Sequence, residues 1–163
     1  MIEIKQVSFT YDNATNGTAI RDINVQIPKG QIVLLCGESG SGKTTFSRLI
    51  NGLIPAYYDG DLNGRVMVSQ KDTSKVELHE LAPFIGSVFQ NPKSQFYTLL
   101  TDTEIVFACE NIGMERTDIL DRFNSTVDSL HIEKLIGKSL FALSGGEKQK
   151  IACASVNGDY TKP

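Results

Sequence analysis

Residues Gly37-Glu38-Ser39-Gly40-Ser41-Gly42-Lys43-Thr44 limit what this chain can fold into more than any other stretch. They match the pattern G-x-x-x-x-G-K-[S/T] in full. Before them runs Ile32-Val33-Leu34-Leu35-Cys36, apolar throughout, which predicts a parallel strand covered on both faces. After them Phe46, Leu49, Ile50 and Leu53 fall at helical spacing, and Gly52 and Pro55 mark the end of that helix. Strand, tight turn and helix are thus implied in that order. The glycines allow consecutive backbone N–H groups to converge on an anion with no Cβ in the way. The helix start adds its partial positive charge. Lys43 supplies a mobile point charge suited to the β and γ phosphates of a nucleotide, and the Thr44 hydroxyl is suited to ligate Mg²⁺. The alternative is a plain glycine-rich turn. The apolar strand, the Lys-Thr pair and the following helix together argue against it.

The remaining sequence places this unit in a mixed α/β chain. Ile2, Ile4, Val7 and Phe9, then Ile23, Val25 and Ile27, alternate with polar neighbours as half-buried antiparallel strands do. Asp12-Asn13, Asn16-Gly17 and Pro28-Lys29-Gly30 read as turns, as do Asp59-Gly60 and Asn63-Gly64 ahead of a strand at Val66 and Val68. Ile85 to Phe89 predicts a further short strand. Beyond Gln90 the pattern turns helical: Ile119, Leu120, Phe123, Val127 and Leu130 make one stripe with Thr117 as N-cap, and a last helix begins near Gly145. The expected organisation is a core with an antiparallel β part over residues 1–90, a helical part over 91–157, and a short end over 158–163. At 163 residues, 40% hydrophobic and 21% charged, one domain with a real core is affordable. A net charge of -3 without basic clusters argues against a nucleic-acid partner. Cys36, Cys109 and Cys153 form no C-x-x-C pair and are expected to be reduced and mostly buried, as in a cytosolic protein. The longest aliphatic run is too short to span a bilayer and no signal peptide is visible, so membrane work would need a partner.

The loop alone is compatible with kinases, GTPases, helicases and transport ATPases. Leu143-Ser144-Gly145-Gly146-Glu147-Lys148-Gln149 narrows this. Ser144 and Glu147 have the S-x-x-E spacing of a capping box, which would start any helix. Two glycines in the first turn cost that helix about 1 kcal/mol each against alanine. Capping does not require them, whereas close approach of backbone to an anion does. The stretch resembles the LSGGQ signature of ABC transporter nucleotide-binding domains, with Glu147 where the family usually has Gln. Leu143 follows Lys43 by 100 positions, a separation that suits that family.

This resemblance implies an ABC ATPase fold: a P-loop NTPase core of α/β class with an antiparallel β subdomain and a helical insertion, incomplete here. It implies ATP with Mg²⁺ as ligands, and binding through Gly37, Glu38, Ser39, Gly40, Ser41, Gly42, Lys43, Thr44 and Thr45. Tyr11 stands like the family aromatic that stacks on adenine, although a half-buried aromatic at a strand end is the commoner meaning of such a residue. Gln90, after Ser87-Val88-Phe89, is placed like the glutamine that senses Mg²⁺ and the γ-phosphate. Thr44 and Gln90 are then the metal-directed residues. Ser144, Gly145, Gly146 and Glu147 would close over the nucleotide of a second, head-to-tail ATPase subunit. Asn51-Gly52-Leu53-Ile54-Pro55, Phe89-Gln90-Asn91-Pro92 and Glu104-Ile105-Val106-Phe107 with Glu110-Asn111 look like the energy-coupling factor and cobalt-type import ATPases. Integral membrane subunits would then be partners, at the cytoplasmic face of the membrane. The family's Asp-Glu strand end, which activates water, is not found after the signature. Asp159, after Gly158 in an expected turn, lacks an apolar strand before it, and His79 and His131 precede the signature. The expectation is the N-terminal part of an import ATPase. The alternatives are a nucleotide-binding fragment without turnover, and a soluble ABC protein of translation or DNA repair.

Overall fold

The computed structural model describes residues 1–12, 17 and 19–160, with side chains to residue 156. The expected turn residues Asn13 and Asn16 lie outside the described residues. Two compact units divide at Ile85 and Gly86.

The first unit is built on an antiparallel sheet. Its strands are β1 (Ile2–Tyr11), β2 (Ile20–Ile27), β3 (Gly60–Val68) and β4 (Lys71–Asp72), in the order β2-β1-β3-β4. β1 pairs with β2 from Ile2↔Ile27 to Phe9↔Ile20 and with β3 from Ile2↔Val68 to Tyr11↔Gly60. β1 buries Ile4, Val7 and Phe9 completely, and the step of three from Ile4 to Val7, where alternation would give two, marks a bulge in the strand. Helix α1 (Lys43–Ile50) lays Leu49, Phe46 and Ile50 on that apolar cluster, together with Ile54 of the short α2 (Leu53–Ala56). A second short helix, α3 (Leu78–Leu81), follows β4 and is started by a capping box between Glu77 and Glu80.

Asn63-Gly64 is not a turn. Gly64 lies inside β3, between the pairs Lys5↔Arg65 and Ser8↔Asn63, so Gln6 and Val7 of β1 face one residue. Its φ is 89°, and a Cβ there would run into the backbone of Gln6 and Lys5. This is a bulge position, where glycine permits both the left-handed backbone and the close approach. Gly60 likewise opens β3.

Two expected strands do not form. Residues 32–36 join no ladder among the described residues, and Ile32 and Leu34 are 101% and 85% exposed. Residues 85–89 likewise join no ladder among the described residues, with Val88 and Phe89 exposed. A run apolar on both faces becomes a strand only when neighbouring strands supply ladder hydrogen bonds and cover, and no strand among the described residues pairs with either run.

The second unit is helical: α4 (Thr101–Asn111), α5 (Arg116–Leu130) and α6 (Gly145–Tyr160). Its core joins Ile105, Val127, Ile132, Leu135, Leu140, Leu143, Ile151 and Ala154. The N-cap of α5 is Glu115 rather than Thr117, and Leu120 of its expected stripe faces solvent. Asp159 lies in the last turn of α6 instead of a turn after it. Of the three thiols only Cys109 is buried, because Cys36 shares the exposure of the unpaired 32–36 run and Cys153 sits on the open side of α6.

Candidate functional site

The phosphate-loop residues Gly37 to Thr45 run from the end of the unpaired 32–36 stretch into α1, whose first turn holds Lys43, Thr44 and Thr45. Gly42 is the N-cap of α1 with φ 89°, and a Cβ there would stand 2.8 Å from the Ala19 carbonyl oxygen. Gly40 also takes a left-handed φ of 82°. No side chain caps this helix and its first turn holds no acid. Among the described residues the amide N–H groups of Gly40, Gly42, Lys43 and Thr44 have no hydrogen-bond acceptor. The Ser41 amide donates to the Glu38 carbonyl at 3.2 Å, which closes the turn around them. The Lys43 ammonium reaches back over the loop, donating to the carbonyls of Gly37 at 2.9 Å and Glu38 at 2.6 Å and to Ser41 Oγ at 3.3 Å. Free donors, a helix start and a cation gathered around one short loop make an anion site.

These residues fit Mg-ATP. The cradle is one that a Cβ at Gly42 would distort, its donor groups are open, and the exposed Thr44 offers a hydroxyl at the helix start. One protein hydroxyl completed by phosphate oxygens and water is the kind of donor set Mg²⁺ prefers. Ser39 lies exposed at the loop tip.

Thr45 is buried, and its hydroxyl lies 3.1 Å from that of Tyr11. Arg48 Nη1 donates to the same tyrosine oxygen at 3.0 Å, and its guanidinium lies 3.9 Å over the ring of Tyr58. Phe9 and Tyr58 each meet the Tyr11 ring at 83°, with centroids 4.7 and 6.2 Å away. Sequence reading missed Arg48 and Tyr58. One signal was present: Arg48 is three residues beyond Thr45, hence on the same helix face.

Gln90, in the second unit, is exposed and stands in a bend. The loop around it is held by others. The Phe89 amide donates to Gln95 Oε1 at 3.1 Å, and Asn91 accepts from the Lys93 amide at 3.2 Å. Further on, the buried carboxylate of Glu104 accepts from the amides of Tyr97 and Thr98 and from the Thr98 hydroxyl, at 3.1, 2.8 and 2.9 Å.

The signature stretch starts α6. The Ser144 amide donates to Glu147 Oε2 at 2.8 Å and the Glu147 amide to Ser144 Oγ at 3.3 Å, a complete capping box. Hydrogen bonding to Ser144, first through its side chain, holds the Glu147 carboxyl below its ordinary value. The Lys148 ammonium bonds the Leu143 carbonyl. A Cβ built on Gly145 or Gly146 meets nothing within 4 Å. Unlike Gly42, neither is demanded by its own surroundings; both leave the backbone of the first turn bare to whatever approaches from outside.

An open anion cradle behind Lys43 and a bare, glycine-rich helix start after Leu143 together define an ATP-binding cassette. The general model of the ABC transporter family matches residues 20–158, so the chain belongs to that family. Two ABC transporter ATP-binding proteins of Treponema denticola are 47% and 42% identical to it over 156 residues, 96% of this chain. One from Pyrococcus abyssi is 38% identical over 156 residues. The chain spans 32% of the length of the two Treponema relatives and 55% of the Pyrococcus one. Among solved structures, CbiO1 of Clostridium perfringens, part of the ABC transporter complex cbiONQ, superposes with a TM-score of 0.82 at 26% identity, over 96% of this chain and 61% of that one. A dimeric ATP-binding cassette bound to ADP and Pi after hydrolysis gives 0.76 at 26% identity, over 98% and 70%. The fold is therefore that of the ABC ATPases, an α/β P-loop architecture, and the chain is an ABC transporter ATP-binding domain. No helix among the described residues is long and apolar enough to cross a membrane.

Proposed function

We propose that this chain holds Mg-ATP for an import transporter of the energy-coupling-factor type. The Lys43 ammonium poised over free loop amides carries that reading. Gly37 to Thr45 bind the phosphates, Thr44 and Gln90 attend the metal, and Tyr11 stacks on the adenine. Mg²⁺, when bound, neutralises charge on the β and γ oxygens. Residues 1–90 act as the nucleotide-binding part and 91–157 as the helical part. The open glycines Gly145 and Gly146, with Ser144 and Glu147, meet the ATP of a second subunit docked head to tail. The dimeric cassette and the cbiONQ complex among the structural relatives support both an ATPase partner and integral membrane subunits, with the protein peripheral at the cytoplasmic face.

Lys43→Ala in the intact protein removes the one cationic side chain that spans the loop. Fluorescent-nucleotide titration should show ATP affinity reduced at least ten-fold. Equal affinity in the variant and the wild type would sink the assignment.

A further inference from the structure

We propose that Arg48 is the positioning residue of the nucleobase end of this site: it fixes the Tyr11 ring at a set distance from the phosphate loop. The inference rests on the reading of Gly37 to Thr45 as an ATP site. A tyrosine ring has two torsions, and its hydroxyl lies far from its backbone, so holding the hydroxyl holds the ring. Here that hydroxyl is held twice, by Arg48 Nη1 at 3.0 Å and by Thr45 Oγ1 at 3.1 Å. Thr45 is two residues past Lys43 in the first turn of α1, so the tether ties the ring to the helix that presents the phosphate cradle.

Arg48 is itself held. Its guanidinium lies flat over Tyr58 at 3.9 Å, and Tyr58 meets Tyr11 at 83° with centroids 6.2 Å apart. The three side chains form a closed ring of contacts, with a planar cation as the one member that touches both tyrosines. Neither aromatic neighbour is stacked parallel on Tyr11. A nucleoside triphosphate has its base at one end and its phosphates at the other. Fixing the ring relative to the loop sets the spacing between the two ends before the ligand arrives, which spares the cost of ordering the ring on binding.

The test compares two ligands on the intact protein, Mg-ATP and magnesium tripolyphosphate, the second of which has no base. Arg48→Met should weaken ATP about five-fold, the scale of one partly exposed hydrogen bond, and leave tripolyphosphate within about two-fold. Tyr11→Phe, which keeps the ring and removes the tethered hydroxyl, should do the same, and the double variant should lose no more than either single one. Arg48→Lys, which keeps the charge and one donor, should recover part of the loss. The inference is overturned if Arg48→Met and Tyr11→Phe keep the wild-type preference for ATP over tripolyphosphate. It is equally overturned if they weaken both ligands alike at an unchanged melting temperature, since Arg48 would then act through the loop. If wild-type protein binds neither ligand, the ATP-site reading fails, and this inference with it. Should Arg48→Met not fold, Tyr11→Phe and Arg48→Lys decide.

Discussion

Ser144 and Glu147 hold each other across the first turn of α6, and that mutual grip has a titratable consequence. Ser144 hydrogen bonds favour the ionised carboxylate, so the folded carboxyl sits below its ordinary value of 4.5. A depressed folded value means the helix start gains stability above the unfolded value and loses it as pH falls through the folded one. Ser144→Ala should move the Glu147 titration back up toward 4.5, followed by carboxyl NMR. A titration curve that Ser144→Ala leaves in place would show that Ser144 does not stabilise the carboxylate. This contact was legible in the sequence, because a capping box is local and its spacing alone brings the two groups together. The Arg48–Tyr11 contact was not, because it needs β1 and α1 to meet, and no spacing within either element announces that.

Among the elements, α4 shows how a charge can belong to the interior. Glu104 stands in the first turn of α4, where an acid favours the helix dipole. In the structure it is buried, and its carboxylate gathers three donors from Tyr97 and Thr98. Glu104→Ala would leave those donors without their acceptor, at a cost of about 2–4 kcal/mol. The denaturation midpoint should fall, and amide exchange at Tyr97 and Thr98 should accelerate. Unchanged exchange at those two amides would refute the role given to Glu104. The strand pattern of β1 to β3 was equally informative in one respect and misleading in another. Alternation identified the buried residues Ile4, Val7, Phe9, Val66 and Val68. The glycine at position 64 signalled a positive φ, which turns and bulges share, and only the pairing with β1 distinguishes them.

At the level of the whole molecule, the exposed run Ile32 to Leu35 has the largest effect. Apolar residues with unpaired backbone attract other strands. Ile32→Lys with Leu34→Lys, two positions on one side of the run, should reduce self-association of the 163-residue chain in size-exclusion chromatography. In the intact protein the same pair should cost nucleotide binding, because the run leads directly into the phosphate loop. Oligomers of the chain that persist at the wild-type level would show that another surface drives association. The composition of this run predicts a strand, which the structure does not form. Composition says nothing of pairing, because the neighbours a parallel strand needs are distant in the chain, and none of the described residues pairs with this run. The antiparallel sheet is made from nearer contacts, and it closes around α1 without that run. This separation orders events in time. The face of α1 that packs on the sheet, and Tyr11 with it, can be set early in synthesis. The loop that grips phosphate is tied to α1 on one side and, on the other, to residues 32–36, which join no ladder among the described residues. Nucleotide then becomes a reporter of order in residues 32–36, because that run leads straight into the loop that grips phosphate.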